Sequence, residues 1–357
     1  MKILILEPYY GGSHKAFIKA LRLNLPFDFD LLTLPARKWK WRMRLSAPYF
    51  AEKLSEMGRY DSILCSTFVD VAALKALAPS WLCNVPILTY FHENQFVYPV
   101  QAEDERDFHF GLTNYTTALA SDRIAFNSRY NLDSFLKGVL GILKKSSDMK
   151  FADPDKAIRA KSLVLYPGMD FSEIDEEKER REEDLPVIVW NHRWEHDKNP
   201  EPFFHALFEM DERGEEFGLI VLGQSFSRKP LIFEQARQRL GRRIIHFGYA
   251  ESGKEYVKWL KRGDLVVSTA SHEFYGMAVI EAVRAGCRPL LPARLSYPEL
   301  FSSEFLYDDR ELAPRLISEL KKGRLSSKEA ISMTEKFSWT HVMGKYEKWF
   351  GGDFTLC

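Results

Sequence analysis

The chain predicts an α/β protein built from two Rossmann-like domains in series, facing each other across a ligand-binding cleft. Three observations predict it. At 357 residues the chain exceeds what one hydrophobic core commonly fills, so two domains of roughly 150–200 residues are expected. Short apolar runs alternate with stretches of helical period, the pattern of parallel sheets covered by helices on both faces. The alternation pauses near residue 171, crosses a strongly charged stretch, and restarts near residue 187.

In the first half Ile3–Glu7 reads as a strand, a turn follows at Tyr10–Ser13, and His14–Leu23 has helical period. Phe27–Leu34, Ser62–Ser66, Val85–Phe91, Ile124–Phe126 and Val164–Tyr166 read as further strands. Helices fit between them at Pro48–Met57, Val69–Leu77, Thr113–Ala120 and Asn131–Lys144. Residues 172–186 hold eight acidic and three basic side chains in fifteen, the composition of a solvated linker or surface helix. The second half restarts with the strand Pro186–Trp190 and continues through Leu219–Leu222, Ile244–Phe247 and Leu265–Ser268. Its helices are expected at Pro202–Glu209, Pro230–Leu240, Lys254–Lys261, Val279–Ala285 and Arg310–Leu320, and Trp339–Phe350 is a last helix with aromatic residues at helical spacing. The expected division is therefore 1–171 for a first, acceptor-binding domain, 172–186 for an acidic linker, 187–335 for a second, nucleotide-binding domain, and 336–357 for a terminal helix packing back toward the first.

Composition narrows the function classes. An apolar fraction of 45 % with 14 % aromatic residues argues for folded cores and against disorder. Lys plus Arg and Asp plus Glu are both 50, so there is no global attraction for a polyanion, and nucleic acid would have to be held by a local patch. Cys65, Cys83, Cys287 and Cys357 show no CxxC spacing, which points to reduced thiols in a cytoplasmic protein and to no structural zinc. The apolar run before Glu7 is too short for an export signal, and no stretch is long enough to span a bilayer, so no membrane association is expected.

Four segments carry candidate chemistry. Gly11 and Gly12 follow the first strand, where glycine lets an anion approach backbone N–H groups at a helix start. The turn has neither the dinucleotide fingerprint nor the P-loop pattern. Arg193 and Lys198 follow the first strand of the second half and are placed to neutralise a pyrophosphate. Glu273 and Glu281 bracket Tyr275, Gly276 and Met277: close backbone approach at the glycine, with one carboxylate for sugar hydroxyls and one for ribose. His92, Glu93, Asn94 and Gln95 follow a buried strand of the first half, His92 suited to orient a sugar and the other three to position an acceptor. His92 and Glu93 lack the spacing of a zinc site. A further stretch, Arg37–Arg44, interleaves Lys38, Lys40, Arg42 and Arg44 with Trp39 and Trp41. In an extended conformation the cations take one side and the indoles the other, an arrangement for phosphates and unpaired bases.

The Glu273–Glu281 spacing, the Arg193/Lys198 pair and the Gly11–Gly12 turn resemble the large retaining glycosyltransferase family of the GT-B fold that includes glycogen-synthase-like and sucrose-synthase-like enzymes. That resemblance implies a metal-independent transferase in which Glu281 holds the donor ribose, Arg193 and Lys198 clamp the diphosphate, and Glu273 contacts the transferred sugar. The strings LEPYYGGSHKAF, which contains His14, LPARKWKWRMR, TYFHENQFVYP and IAFNSRYN resemble the tRNA-queuosine mannosyltransferases more specifically. Together these motifs span nearly the whole chain. The resemblance implies GDP-mannose as donor, the cyclopentenediol of queuosine in the anticodon of tRNA-Asp as acceptor, retention at the anomeric carbon, and no prosthetic group. The architecture leaves two other readings open, a transferase for a saccharide or lipid acceptor and a non-catalytic RNA-binding protein on the same fold.

Overall fold

The computed structural model describes residues 1–98, 107–146, 148–177, 185–225 and 229–352. They form two α/β units. The first comprises Met1–Met169 together with the chain from Trp339 onward, and the second comprises Asp170–Ser338.

In the first unit the strands are β1 (Lys2–Tyr10), β2 (Asp28–Pro35), β3 (Ser62–Ser66), β4 (Ile87–Phe91), β5 (Arg123–Phe126) and β6 (Ser162–Val164). They pair in parallel in the order β2-β1-β3-β4-β5-β6. The order reverses direction between β1 and β3, where the crossovers leave to opposite faces and open a crevice at the strands' C-terminal ends. Glu7 lies toward the C-terminal end of β1, and the Gly11–Gly12 turn, Thr67 and His92 directly follow β1, β3 and β4. β3 and β4 are buried at every position, as expected of strands covered on both faces.

The helix Trp339–Gly351 completes this unit's core. Trp339, Val342, Tyr346, Trp349 and Phe350 pack with Ile3, Ile5, Phe17 and Tyr90. Arg123 Nη1 donates to the carbonyls of Trp349 and Phe350 at 2.8 Å each, satisfying the end of the helix. A side chain at Gly168 would meet the Trp339 indole at 2.3 Å, so glycine is what lets the strand exit pass under that ring.

The second unit contains β7 (Val187–Asn191), β8 (Gly218–Leu222), β9 (Ile244–Gly248), β10 (Leu265–Val267), β11 (Arg288–Pro292) and β12 (Leu306–Tyr307). Their order is β12-β11-β10-β7-β8-β9, all parallel, which places this unit's reversal between β7 and β10. Its core gathers Trp190, Phe203, Phe204, Phe217 and Phe233 with Leu219, Val221 and Val267.

The structure adds to and departs from the sequence expectations at several elements. β11 and β12 had no counterpart among the expected strands, because Pro289 and Pro292 in β11 weaken the strand signal. Within residues 172–186, Ser172–Glu176 is helical, Ile174 is buried, and Asp175 makes a two-bond ion pair with Arg284 at 2.8 and 2.6 Å within the second unit. Residues 178–184 of that stretch lie outside the described residues, as do residues 353–357 of the expected terminal segment. Finally, the basic-aromatic stretch is not extended. Trp39–Leu54 is one helix, with Met43, Ser46, Ala47, Phe50, Ala51 and Leu54 buried at helical spacing. Met43 packs with Phe68 and Phe110, and that burial decides the conformation against the alternating pattern of the first eight residues.

Candidate active site

In the second unit, the ends of β7 and β10 bring two segments together across the point where strand order reverses. Lys198, on the short turn after β7, is only 7 % exposed. Its Nζ donates to Glu273 Oε2 at 3.2 Å and to the His272 carbonyl at 2.9 Å, and lies 3.3 Å from Asp197. Burial works against the charge of Lys198, but Glu273 and Asp197 more than offset it and raise its pKa. Burial likewise opposes ionisation of Glu273, yet the Lys198 charge and hydrogen bond pull its pKa down to about 2. Both stay charged at neutral pH. His192, beside them, is kept neutral by burial and by the Lys198 charge, with a pKa lowered to about 4, and its Nε2 has no hydrogen-bond partner.

Gly276 precedes the helix Met277–Arg284 with φ +100°, a conformation that favours glycine. The turn exposes the first amides of that helix, where the aligned peptide dipoles favour an anion. One turn further on, Glu281 Oε2 accepts from Tyr256 Oη at 2.9 Å, and Tyr256 accepts from Asn191 Nδ2 at 3.0 Å. Burial pushes Glu281 up to about 7 against the lowering effect of the Tyr256 bond. A cavity of about 290 Å³ adjoins this relay, lined by Asn191, Gly223, Tyr249, Glu251, Ser252 and Tyr256 among others. Gly223 is required there, since a side chain would strike the His192 carbonyl at 1.9 Å. A cavity, a helix dipole, a cation and two carboxylates can together hold an anionic sugar nucleotide.

In the first unit, the C-terminal edge of the sheet carries a second group of polar side chains. Glu7 Oε2 meets His14 Nδ1 at 2.9 Å, His14 Nε2 meets Glu93 Oε2 at 3.3 Å, and Thr67 Oγ1 donates to Glu93 Oε1 at 3.1 Å. The His92 ring lies over that of His14 at 4.3 Å, with Phe17 and Tyr90 against its other sides. Burial, together with the charge of His14, keeps the His92 pKa well below the usual imidazole range. The loop is fixed from behind by buried amides. Asn127 donates to the His92 carbonyl at 2.7 Å, Asn131 to Asn127 at 2.9 Å, and Asn94 to Asn131 at 2.9 Å.

Residues 2–169 match the family model described as tRNA-queuosine alpha-mannosyltransferase N-terminal, and residues 171–328 match glycosyl transferases group 1. The chain is 37 % identical over 353 residues to the tRNA-queuosine alpha-mannosyltransferase of Drosophila melanogaster, covering 96 % of this chain and 93 % of that one. The chain belongs to the tRNA-queuosine alpha-mannosyltransferase family. Solved structures similar to it include Anabaena HepE in complex with UDP (TM-score 0.71, 15 % identity, covering 99 % of this chain and 100 % of that one). Sucrose-phosphate synthase of Thermosynechococcus elongatus is similar at TM-score 0.69 and 15 % identity, again covering 99 % and 100 %. Identities this low speak for the fold, and the two Rossmann-like units are those of a GT-B glycosyltransferase.

Within this family member the sequence-predicted residues separate into those at the two sheet edges and those that shape them. Lys198, Glu273, Gly276, Met277 and Glu281 all lie in the second unit, after β7 and β10. Arg193 stands on the same turn, half exposed, bonded to Glu195 at 3.1 Å and joined to Lys198 through Asp197. The ring of Tyr275 is buried against Phe337, so this residue offers the site its backbone rather than its phenol. Gly11 is glycine because a side chain would meet Ala36 at 2.4 Å, whereas Gly12 has φ +50° and an open surround at the first turn of its helix.

Asn94 and Gln95 are corrections: both are buried, Asn94 in the amide relay and Gln95 with its backbone N–H on Asn114, so they hold the loop and leave Glu93 and His92 at the edge. Trp39 is half-buried, its ring packed on Phe110 at 5.1 Å and Tyr98 at 6.2 Å. Lys38, Lys40, Trp41 and Arg44 are exposed, while Arg42 is half-buried. Sequence reasoning missed Glu7, Tyr256 and the Tyr249–Ser252 rim. Glu7 leaves the one usable signal, a lone carboxylate directly after the apolar run Ile3–Leu6.

Proposed function

We propose that this family member takes GDP-mannose as donor and transfers mannose, with retention at the anomeric carbon, to queuosine in the anticodon of tRNA-Asp. The observation that carries the reading is the match of residues 2–169 to the queuosine mannosyltransferase N-terminal model. The second unit supplies the donor chemistry. HepE has been solved with UDP and with UDP-glucose, which supports a nucleotide sugar in a fold of this kind. For guanine in particular, Glu251 beside the exposed Tyr249 offers a carboxylate to the two adjacent donors on the guanine edge, a pair that uracil lacks.

In this scheme Glu281 takes the ribose hydroxyls, Arg193, Lys198 and the amides after Gly276 face the diphosphate, and Glu273 orients the mannose. As the bond from C1 to the β-phosphate oxygen breaks, negative charge grows on the phosphate, where the cations and helix dipole stabilise it. The acceptor hydroxyl attacks from the same face, and its proton goes to the departing phosphate oxygen. Among the described residues no group of three or more His, Cys, Asp or Glu is arranged to hold a metal ion.

The RNA rests, in the same reading, on the helix Trp39–Leu54. Its outward face presents Trp41, Leu45 and Tyr49, 65 %, 53 % and 42 % exposed, at i, i+4 and i+8, beside Lys40 and Arg44. Exposed rings among cations suit unpaired bases and their phosphates. The test incubates the protein with queuosine-containing tRNA and a panel of nucleotide sugars, digests the RNA, and looks by mass spectrometry for a hexose-shifted queuosine. A shift with GDP-mannose alone is expected. A shift with UDP-glucose alone overturns the donor, and mannose found on another molecule overturns the acceptor.

A further inference from the structure

The donor chemistry leaves unused a carboxylate buried at the edge of the first sheet. Glu7 is 1 % exposed, and its Oε1 accepts from the Tyr9 amide at 2.8 Å and from Ser66 Oγ at 3.2 Å. Its other oxygen and a Glu93 oxygen hold the two nitrogens of the His14 ring. Facing two acceptors, both nitrogens must donate, and only the imidazolium can do so. Burial opposes that charge, but Glu7 and Glu93 overcome it and raise the pKa of His14 to about 10.

The three groups are not equivalent. Glu7 and His14 are sealed, whereas the Glu93 side chain keeps 13 % of its surface open. Each Glu93 oxygen accepts one bond from the protein, Oε1 from Thr67 and Oε2 from His14, so each retains acceptor capacity. With two carboxylates against one imidazolium the cluster is net negative. Next to it the neutral His92 makes no side-chain hydrogen bond among the described residues, although rings pack around it. An ion triad serving only the fold would have no use for an open, doubly accepting carboxylate beside an imidazole with nothing to bond, at the reversal of strand order where such sheets bind ligands.

We propose that Glu93 reads a vicinal diol on the acceptor, accepting a hydrogen bond from each of two adjacent hydroxyls in the bound tRNA before the attacking one turns its proton to the departing phosphate oxygen, and that Glu7 and His14 are positioning residues that fix its plane. The proposal rests on the reading above, because the cyclopentenediol of queuosine supplies such a pair and the guanine of an unmodified tRNA does not. Glu93 is thereby a specificity-determining residue, separate from the donor site.

The test measures binding of queuosine-containing tRNA and of the same tRNA carrying guanine. Two bonds to a charged acceptor give the wild type about a tenfold to hundredfold preference for the modified tRNA. Glu93→Gln brings the two affinities to within about threefold, while GDP binding by calorimetry and the affinity for unmodified tRNA hold. Glu7→Gln removes one of the carboxylates that keep His14 charged. The groups facing that ring are Glu7, Glu93, His92 and the edge of Tyr9, and Cys65 behind Glu7 is kept a neutral thiol by burial. The Glu7→Gln preference therefore survives at pH 6 and fades by pH 8.5, where that of the wild type is flat. A purely structural Glu7 would lower the melting temperature without this pH dependence.

An unchanged preference in Glu93→Gln overturns the proposal even if mannose transfer by the wild type is normal. Loss of the preference in that variant upholds it even if GDP-mannose proves to be the wrong donor.

Discussion

Lys198→Met replaces a buried cation by an apolar side chain of similar length and leaves the Glu273 carboxylate without its partner. The depression of Glu273 from an ordinary 4.5 to about 2 corresponds, at about 1.4 kcal/mol per pH unit, to about 3 kcal/mol of stability held by the pair. The Glu273 side chain is 20 % exposed and water screens part of this, so we expect a loss of about 2–3 kcal/mol at pH 7. The sign follows from the lowered pKa: the contribution is complete above the unfolded value near 4.5 and is lost as pH falls toward 2, so the variant's deficit is greatest at neutral pH. Urea unfolding followed by the fluorescence of Trp190 and Trp194 in this unit measures it. Lys198→Met/Glu273→Gln removes the charge that had been stranded and should recover most of the loss. A double variant as unstable as Lys198→Met alone would refute the claim that this ion pair is the coupled unit.

Three further outcomes are expected. Glu281 is raised to about 7 in the folded protein, so its contribution to stability is present below pH 4.5 and lost as pH rises through 7; Glu281→Gln should flatten the fall in melting temperature between pH 5 and 8 and weaken nucleotide binding about tenfold, and an unaltered pH slope counts against the buried placement. Trp41→Ala combined with Tyr49→Ala should reduce tRNA affinity about tenfold with little change in melting temperature, since both rings are exposed, while Lys40→Ala and Arg44→Ala should each lower the slope of log affinity against log salt by about 0.7. Asn131→Leu should cost about 1–3 kcal/mol by leaving the buried Asn127 Oδ1 without its donor and taking one bond each from Asn94 and the Phe91 carbonyl, and a melting curve like that of the wild type would show the relay to be dispensable.

The limits of the sequence reading show in particular residues. Gly276 between two glutamates was legible as a point of close backbone approach, because a glycine just ahead of a helix is a local signal; its φ of +100° is a conformation that favours glycine. Trp39–Arg44 was misread because alternation of cations and aromatics fits an extended strand equally well. What separates the two is the contact of Met43 with Phe68 and Phe110, residues distant along the chain. Asn94 and Gln95 looked like ligands because a polar run after a buried strand commonly faces a crevice. Their burial depends on amide partners from the helices Phe108–Ala120 and Arg129–Leu143.

By itself the sequence determined the two parallel-sheet repeats and which loops follow their strands, because hydrophobic period and turn chemistry are local. It also determined the kinds of side chain those loops carry. Tertiary structure decided which of them meet: Lys198 with Glu273 across 75 positions and His14 with Glu93 across 79. These pairings follow from strand order and from the burial of aromatic faces, which no window of the chain contains. Charge state was decided there too, since Glu273 and Glu281 are the same residue type on one motif and are driven apart, one by the ammonium of Lys198 and the other by burial beside the Tyr256 hydroxyl.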